Sequence, residues 1–334
     1  MRSLALSALT VPALALVTAL SLQPAEAREA PSHWLYEWGE TDFSKASIEF
    51  DEIMSGGPPK DGIPAIDNPV FVSAAEIDHL ADTEPVISVL LGGEHRAYPL
   101  QILMWHEIVN DTAGGVPVSV TFCPLCNSAV VYDRRVGDAV LDFGTTGKLR
   151  NSDLVMYDRQ TESWWQQFTG EGIVGVHTGT WLKRLPSRVE SFARYRERAG
   201  GDALVLVPER EGARAYGVNP YGGYDSSARP FLYRGDLPEG IAPLARVVVV
   251  DDEAWSLDLI REAGRYARGD LVITWEAGQN SALDSSTIAD GRDIGNVVVQ
   301  RDGGGGLEDV PYDISFAFAF HAFHPDAPIH TSVE

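Results

Sequence analysis

Residues 116–136 read VPVSVTFCPLCNSAVVYDRRV and contain both cysteines of the 334-residue chain. Val116–Phe122 and Ser128–Val136 are rich in β-branched residues, which favour strands. The Cys123-Pro124-Leu125-Cys126 stretch between them interrupts this pattern with a proline and is typical of a turn. The sequence therefore predicts two adjacent strands joined by a C-P-x-C turn, and the other candidate residues group around that turn.

A strand pair and a helix are predicted directly before this segment. Val86–Leu91 has the pattern of a buried strand, Gly92-Gly93 that of a hairpin turn and His95–Pro99 that of the partner strand. Apolar residues recur at helical spacing over Leu100–Val109, so we expect a helix there. Its last residues include Trp105-His106-Glu107, which places an imidazole and a carboxyl group shortly before the cysteines.

The order of these patterns recurs in the C-terminal part of the chain. Residues 244–334 again contain strands followed by an Asn-Ser-Ala triplet, as residues 86–207 do. We interpret this as a diverged internal duplication. The predicted fold class is α+β, mainly β, with two diverged tandem copies of a β-rich unit packed together. Because the second copy has no cysteine and no His-Glu pair, we expect the functional site in the first copy.

One further segment precedes the two copies and another connects them. Residues 28–85 are rich in Pro and Gly turns and are expected to form an extended arm, with a short helix that starts at a capping box of Ser73 and Glu76. Residues 208–243 form a long irregular connecting loop, and a loop of this length in a compact protein is usually functional or a linker. The stretch from Tyr221 to Tyr224, near its centre, is expected to close over the site.

The N-terminus has the pattern of a secretory signal peptide over residues 1–27. Arg2 precedes an apolar run from Leu4 to Leu20, and Ala25-Glu26-Ala27 supplies small residues for cleavage after Ala27. The alternative is an uncleaved membrane anchor, but Pro12 makes the run weak for a membrane span. We therefore predict a periplasmic or secreted protein with no membrane insertion after signal cleavage.

The formal net charge of −22 is strongly acidic. Such a charge disfavours nucleic acid and anionic membrane surfaces as partners. It is compatible with cationic partners or metal ions, although we expect most of it to lie on a solvated surface. The expected partner is therefore a small molecule or a metal ion.

The cysteine turn admits three interpretations that the sequence leaves open. In the first, Cys123 and Cys126 bind a transition metal, zinc or copper, with His106 as a third ligand and His95 or Asp153 as weaker candidates. In the second, the thiols form a reversible disulfide, although a strand is predicted after Cys126 where a redox C-x-x-C motif usually opens a helix. In the third, they form a structural disulfide in a non-catalytic binding module. A Cys–His nucleophilic pair ranks last.

Several polar and aromatic residues complete the candidate site. Glu107 and Asp153 are candidate general bases, so an enzyme is one of the functions considered. Trp164 and Trp165 are consecutive in a predicted strand and should face opposite sides of it. The residues expected to line a pocket are Trp105, Asn151, Tyr157, Arg159, Trp164 and Tyr221.

The stretches that carry these residues resemble a known family. They are Gly56–Pro64, Trp105–Asp111, Cys123–Ser128, Asn151–Arg159, Asn219–Tyr221 and Ser281–Asp284. Over nearly all of its mature length the chain closely resembles the domain of unknown function 3179 family, which consists of uncharacterised bacterial proteins. The resemblance implies an exported protein and brings no established activity. One departure is Lys148-Leu149-Arg150, where the family pattern is more apolar and aromatic.

Overall fold

The structure is a computed structural model that describes residues 29–210 and 212–332. The predicted signal peptide, residues 1–27, lies outside these ranges. Strands make up much more of the described chain than helices do, and they form several sheets, so the predicted mainly β, α+β class is confirmed. In this part of the chain every helix is too short or too polar to cross a membrane.

The N-terminal arm has little regular structure of its own. Its elements are α1 (Ser32–Glu37), β1 (Ile53–Ser55) and β2 (Val70–Ser73). Ser73 and Glu76 form the predicted capping box, but the helix that follows is a single 3₁₀ turn over Ala74–Glu76. Both strands pair with strands far along the chain, which fixes the arm to the body of the protein.

The first half of the body begins with the predicted strand pair and helix. Its first elements are β3 (Pro85–Leu91), β4 (Glu94–Pro99), α2 (Leu100–His106), β5 (Ile108–Ala113), β6 (Val116–Cys123) and β7 (Ser128–Asp133). Gly92 and Gly93 have φ values of 56° and 83°, as a tight two-residue hairpin requires. The helix is shorter than predicted, because Glu107 takes a φ of 57° and the chain turns into β5.

The rest of this half forms a separate sheet and then adds further strands to the sheets of the earlier elements. Its elements are β8 (Arg135–Val136), β9 (Ala139–Val140), β10 (Phe143–Arg150), β11 (Asp153–Asp158), β12 (Trp164–Gln166), β13 (Gly172–Val174), β14 (Lys183–Leu185), β15 (Arg188–Ser191), α3 (Phe192–Ala199) and β16 (Leu204–Val207). Three larger sheets result, with strand orders β1-β10-β11-β12-β13, β14-β7-β6-β5 and β15-β3-β4-β16-β2, and β8 pairs with β9 in a two-stranded sheet. The first of them carries Asp153 at the start of β11.

The second half follows the irregular residues 208–243, whose described part has one 3₁₀ turn at Tyr224–Ser226. Its elements are β17 (Arg246–Val250), β18 (Glu253–Ser256), α4 (Leu257–Ala263), β19 (Arg265–Arg268), β20 (Leu271–Glu276), β21 (Asn296–Asp302), β22 (Leu307–Asp309), β23 (Asp313–Phe316), α5 (Ala317–Phe323) and β24 (Ile329–His330). They form sheets with strand orders β23-β17-β18-β24 and β19-β20-β21-β22. The aromatic segment near the C-terminus is therefore partly strand and partly helix.

A large apolar core joins the two halves. It contains Ile87 and Phe122 from the first half, Val247 and Phe318 from the second, and both cysteines. Each large side chain buried in this way contributes roughly 1.5–3 kcal/mol, so the two halves stabilise each other. The cysteine turn thus lies inside the shared core and not at the surface.

Candidate functional site

The C-P-x-C turn links β6 to β7 and is held by residues from distant parts of the chain. Cys123 and Ser128 are paired across the ladder. The carbonyl oxygen of Cys126 accepts a hydrogen bond from the Phe316 backbone N–H at 2.9 Å. The carbonyl oxygen of Leu125 accepts one from the Tyr224 hydroxyl at 3.0 Å. The turn is therefore fixed both by the C-terminal strand and by the connecting loop.

Asp153 lies beside the two sulfur atoms. One ligand atom from each of Cys123, Cys126 and Asp153 falls within 4.8 Å of the others, and all three residues are buried. Its Oδ2 accepts hydrogen bonds from Gln166 Nε2 at 2.6 Å and from the Phe168 backbone N–H at 2.8 Å. Its Oδ1 is buried and has no hydrogen-bond partner among the described residues. One oxygen therefore positions the carboxyl group, and the carboxyl group also interacts with the two thiols, whose hydrogen bonds favour its charged form.

Unusual backbone conformations surround this cluster. Asn127, Asn151 and Ser152 have φ values of 51°, 53° and 67°, which non-glycine residues rarely adopt. Asn127 closes the cysteine turn, and the other two form the turn from β10 into β11 that delivers Asp153. Such conformations cost of order 1–3 kcal/mol each and concentrate at functional sites.

Glu107 is a second buried carboxyl group near the cluster. It ends α2, where its backbone N–H donates to the Leu103 carbonyl at 2.7 Å, and its side chain is 8% exposed in relative terms. In the described part of the chain its carboxyl group forms no hydrogen bond and no ion pair. A buried carboxyl group without a partner is costly, so its position needs an explanation beyond packing.

The electrostatics of the cluster are those of four acidic groups without a cation. Burial raises the pKa of Asp153 to about 7. Burial, assisted by repulsion from Asp153, raises the pKa of Glu107 to about 8. Burial also raises the pKa of both the Cys123 and the Cys126 thiols. Among the described residues, no Lys, Arg or His pairs with either carboxyl group, so the four groups cannot all be ionised unless a positive charge joins them.

The connecting loop covers the cluster. The Tyr224 hydroxyl that bonds the cysteine turn also accepts a hydrogen bond from the Phe231 backbone N–H at 3.3 Å. The Phe231 carbonyl in turn accepts one from Ser152 Oγ at 2.6 Å. Tyr221 lies near enough to Glu107 and Cys123 that, together with burial, their charges raise the pKa of its phenol. The sulfur atoms are shielded as a result, with their residues 0–1% exposed.

The structure does not bring His106 to the sulfur atoms, which corrects its place in the predicted ligand set. Its Nδ1 donates to the Pro64 carbonyl at 2.8 Å, and its Nε2 accepts from the Tyr216 hydroxyl at 2.9 Å. Both ring nitrogens are therefore used elsewhere. The turn at Glu107 is the physical reason, because α2 ends there and the carboxyl group approaches the cluster in place of the imidazole. Asp153, a weaker candidate by sequence, is the third member.

Three of the predicted pocket residues contact the N-terminal arm. The Tyr157 hydroxyl donates to Asp61, and Arg159 pairs with Asp67. Trp164 is fully buried and packs edge-on against Trp34. The two consecutive tryptophans do face opposite sides, as predicted, because Trp164 joins the arm's aromatic cluster and Trp165 joins the main core.

The other three predicted pocket residues lie closer to the cluster. Tyr221 covers it, and Asn151 contributes to the turn before Asp153 and donates weakly to the Ala322 carbonyl at 3.5 Å. Trp105 packs against the main core, with its indole N–H buried and without a partner among the described residues. Sequence reasoning missed Gln166, and it placed Tyr224 in the covering loop without its bond to the cysteine turn, because no local pattern links either residue to that turn.

The fold and the cluster together define a mainly β protein with a buried thiol–carboxyl centre. The family described as "Protein of unknown function (DUF3179)" matches residues 60–327. The chain therefore belongs to that family, as the resemblance of its motifs implied. No curated protein and no solved structure matches the chain.

Proposed function

We propose that this protein is an exported metal-binding protein whose centre consists of Cys123, Cys126 and Asp153. The observation that carries the proposal is the convergence of two thiols and Asp153, with Glu107 nearby, in a buried place where no cationic side chain of the described residues pairs with either carboxyl group. A metal cation would supply the missing positive charge and let the ligands lose their protons. Export rests on the signal-peptide pattern of residues 1–27.

The ligand geometry suits a small borderline cation. Zinc binds sulfur at roughly 2.3 Å and carboxylate oxygen at roughly 2.0–2.2 Å, so ligand atoms of one site lie ~3.5–4 Å apart. The three ligand atoms here lie within 4.8 Å of one another and need only a small contraction. A mixed sulfur and oxygen set favours zinc over copper(I), which prefers purely soft ligands. Zinc is therefore the metal we expect, with copper as the alternative.

We place Glu107 next to the coordination position that the three ligands would leave open. Its carboxyl group has no other partner in the described chain and lies near Asp153 and Cys123. It would serve as the fourth ligand, or as a general base toward a water on the metal. The first role gives a closed structural site, and the second a catalytic one, so the role of Glu107 decides whether the protein is an enzyme.

The main alternative is a thiol–disulfide protein, and the proximity of two unbonded thiols in one turn favours it. The surroundings oppose it. A redox thiol is normally activated by a lowered pKa and by partial exposure, whereas both thiols are buried with raised pKa values and precede a strand. A pair that is reduced and reoxidised reversibly at a cellular potential would favour this alternative.

The deciding experiment measures metal and thiols in the mature protein purified from the periplasm. We expect two free thiols per chain after denaturation and about one equivalent of bound metal. Cys123→Ser and Asp153→Asn should each abolish metal retention through dialysis. Asp158→Asn is the matched control, because Asp158 is a buried carboxyl group on the same strand that binds Trp165 and not the thiols. Retention of metal by both site variants, or a metal-free disulfide, would refute the proposal.

We also propose that the two halves arose by duplication. The strand order β14-β7-β6-β5 corresponds to β22-β21-β20-β19, and β15-β3-β4-β16 corresponds to β23-β17-β18-β24. In the second of these correspondences the last pairing of each set of four strands is parallel, between β4 and β16 and between β18 and β24. On this reading residues between β7 and β14 are an insertion that only the first copy has, and it supplies Asp153. A backbone superposition that fails to align these strands would argue against duplication.

A further inference from the structure

A second candidate site lies in the C-terminal half, in a cleft of about 590 Å³. One wall is the end of the connecting loop, a second is the start of α4, and a third is formed by residues 292–294. Arg246 and Arg292 lie in it together with Asp225. None of these residues belongs to the cysteine centre.

Arg246 has an unused donor in a buried place. It stands on β17, and its side chain is only 4% exposed. Its Nη2 contacts Asp225 at 3.0 Å and donates to Ser281 Oγ at 2.7 Å. Its Nε is buried and has no partner among the described residues. A buried donor without a partner is costly, and a guanidinium group is suited to binding the two oxygens of a carboxylate or phosphate at once.

Asp225 supplies an oxyanion to this cleft from within the chain. Its carboxyl group pairs with Arg246 and also with Arg292 at 2.9 Å. It lies in the irregular connecting loop, whereas Arg246 lies on a core strand. Asp225 also accepts from Ser281 Oγ at 2.6 Å and its side chain is fully buried, so a ligand that replaces it on Arg246 must break these contacts.

The other two acidic residues that line the cleft, Asp258 and Asp293, have partners of their own. Asp293 accepts backbone N–H groups from Gly278, Gln279 and Gly295. Asp258 pairs with Arg261 at 2.8 Å on the surface of α4. Asp284, just outside the lining, pairs with Arg292 at 2.6 Å, so an incoming anion competes with Asp225 on both arginines and with Asp284 on Arg292.

We infer that this cleft binds the carboxylate or phosphate group of a small molecule on Arg246 and Arg292, in competition with the side chain of Asp225. The chemistry of the two guanidinium groups does not separate the two anions, so each is tested as a separate probe. Because the cleft is large enough for more than one oxyanion group, a dicarboxylate is a suitable second probe.

The test is calorimetric titration of the full mature chain with inorganic phosphate and, separately, with succinate. We expect saturable binding of at least one of them. Arg292→Gln should weaken it by about tenfold or more, since one charge-assisted contact is lost. Asp225→Asn should tighten it, because the internal competitor is gone, and a purely structural role for Asp225 predicts no such gain. Arg301→Gln is the control, since Arg301 pairs with Asp251 and Asp270 away from the cleft.

The proposal has a clear negative outcome. Absence of saturable binding of both probes to the wild-type protein and to Asp225→Asn would overturn it, and so would an equal loss in Arg292→Gln and Arg301→Gln. If Asp225→Asn does not fold, as judged by circular dichroism, the comparison of wild type, Arg292→Gln and Arg301→Gln decides. The probe that binds identifies which of the two anions the cleft accepts.

Discussion

Glu107 and Gly264 each follow a seven-residue helix, and they share the same unusual backbone conformation. Glu107 follows α2 with φ 57° and ψ −32°, and Gly264 follows α4 with φ 64° and ψ −45°. Glycine adopts positive φ at little cost, whereas a glutamate does not. A strained glutamate with a buried, unpartnered carboxyl group is expected where function and not stability selects the residue.

We therefore predict that Glu107→Gly stabilises the metal-free protein and weakens metal binding. The gain in the free energy of unfolding should be about 1–2 kcal/mol, because both backbone strain and a buried acid are removed. Urea denaturation with chelator and metal titration measure the two effects. Asn127→Gly is the control, since it also relieves a positive φ but loses the Asn127 hydrogen bond to the Ile314 carbonyl at 2.7 Å. A destabilised Glu107→Gly would contradict the prediction.

The buried carboxyl groups give the metal-free protein a characteristic pH dependence. Their pKa values are raised in the folded state, to about 7 for Asp153 and about 8 for Glu107. Above the unfolded-state pKa the unfolded chain releases these protons and the native protein keeps them. Stability should therefore fall as pH rises from about 5 to about 8, by at most about 1.4 kcal/mol per pH unit for each group.

Urea denaturation in chelator at several pH values in this window measures the slope. Glu107→Gln should reduce it, because one of the two groups no longer titrates. Asp302→Asn, at an exposed position, should leave it unchanged. The stabilisation by added metal should show the opposite trend and grow with pH, because the ligands must lose protons to bind. An unchanged slope in Glu107→Gln would show that Glu107 is not a proton-retaining group.

Local sequence pattern was sufficient to predict the strands around the cysteine turn. It was not sufficient to predict which residues lie beside the two sulfur atoms. Val116–Phe122 and the residues after Cys126 form strands as predicted, because β-branched residues fit a buried pleated sheet. A helix that continues to Val109, as the apolar spacing predicts, leaves no place for the turn at Glu107. Since residue type disfavours positive φ at a glutamate, sequence reasoning placed His106 and not Glu107 beside the sulfur atoms.

The position of Asp153 beside the thiols could not be predicted from the sequence, for a different reason. It reaches the thiols through a turn with two consecutive positive-φ residues, Asn151 and Ser152, and through the packing of a separate sheet. Asparagine tolerates such a conformation, so a turn was foreseeable there. Which sheet the turn would face depends on contacts between segments far apart in sequence, and a single sequence does not encode those in a local pattern.

The loop over the centre yields a prediction about thiol access. Tyr224 joins the loop to the cysteine turn through its hydroxyl bond to the Leu125 carbonyl. Tyr224→Phe removes this bond and the bond that the hydroxyl accepts from the Phe231 backbone N–H, and it leaves the ring. Opening of the loop should become at least about fivefold more frequent, as expected for the loss of one or more hydrogen bonds of about 1 kcal/mol each. The rate at which a thiol reagent labels the native metal-free protein should rise accordingly.

The matched control is Tyr233→Phe, because the Tyr233 hydroxyl bonds only within its own loop, to the Asp236 carbonyl at 2.8 Å. Its labelling rate should match that of the wild type. Wild-type labelling should be slow, since both sulfur atoms are shielded. Equal rates in Tyr224→Phe and Tyr233→Phe would mean that the thiols become accessible by some route other than loop opening.

Asp313 connects the two halves through β7, the strand that follows the cysteine turn. Its removal should lower the stability of the whole protein. Its Oδ2 accepts from Ser128 Oγ at 2.6 Å and its Oδ1 from the Ala129 backbone N–H at 2.9 Å. Asp313→Ala leaves both donors buried and unpartnered, which should lower the free energy of unfolding by about 2–4 kcal/mol. Asp302→Ala, at an exposed position, should change it by less than about 0.5 kcal/mol.

Because the two halves share one core, denaturation of Asp313→Ala followed by circular dichroism and by tryptophan fluorescence should show one coincident transition. Two separated transitions in Asp313→Ala would contradict this prediction, because the halves would then unfold independently once the Asp313 bonds are lost.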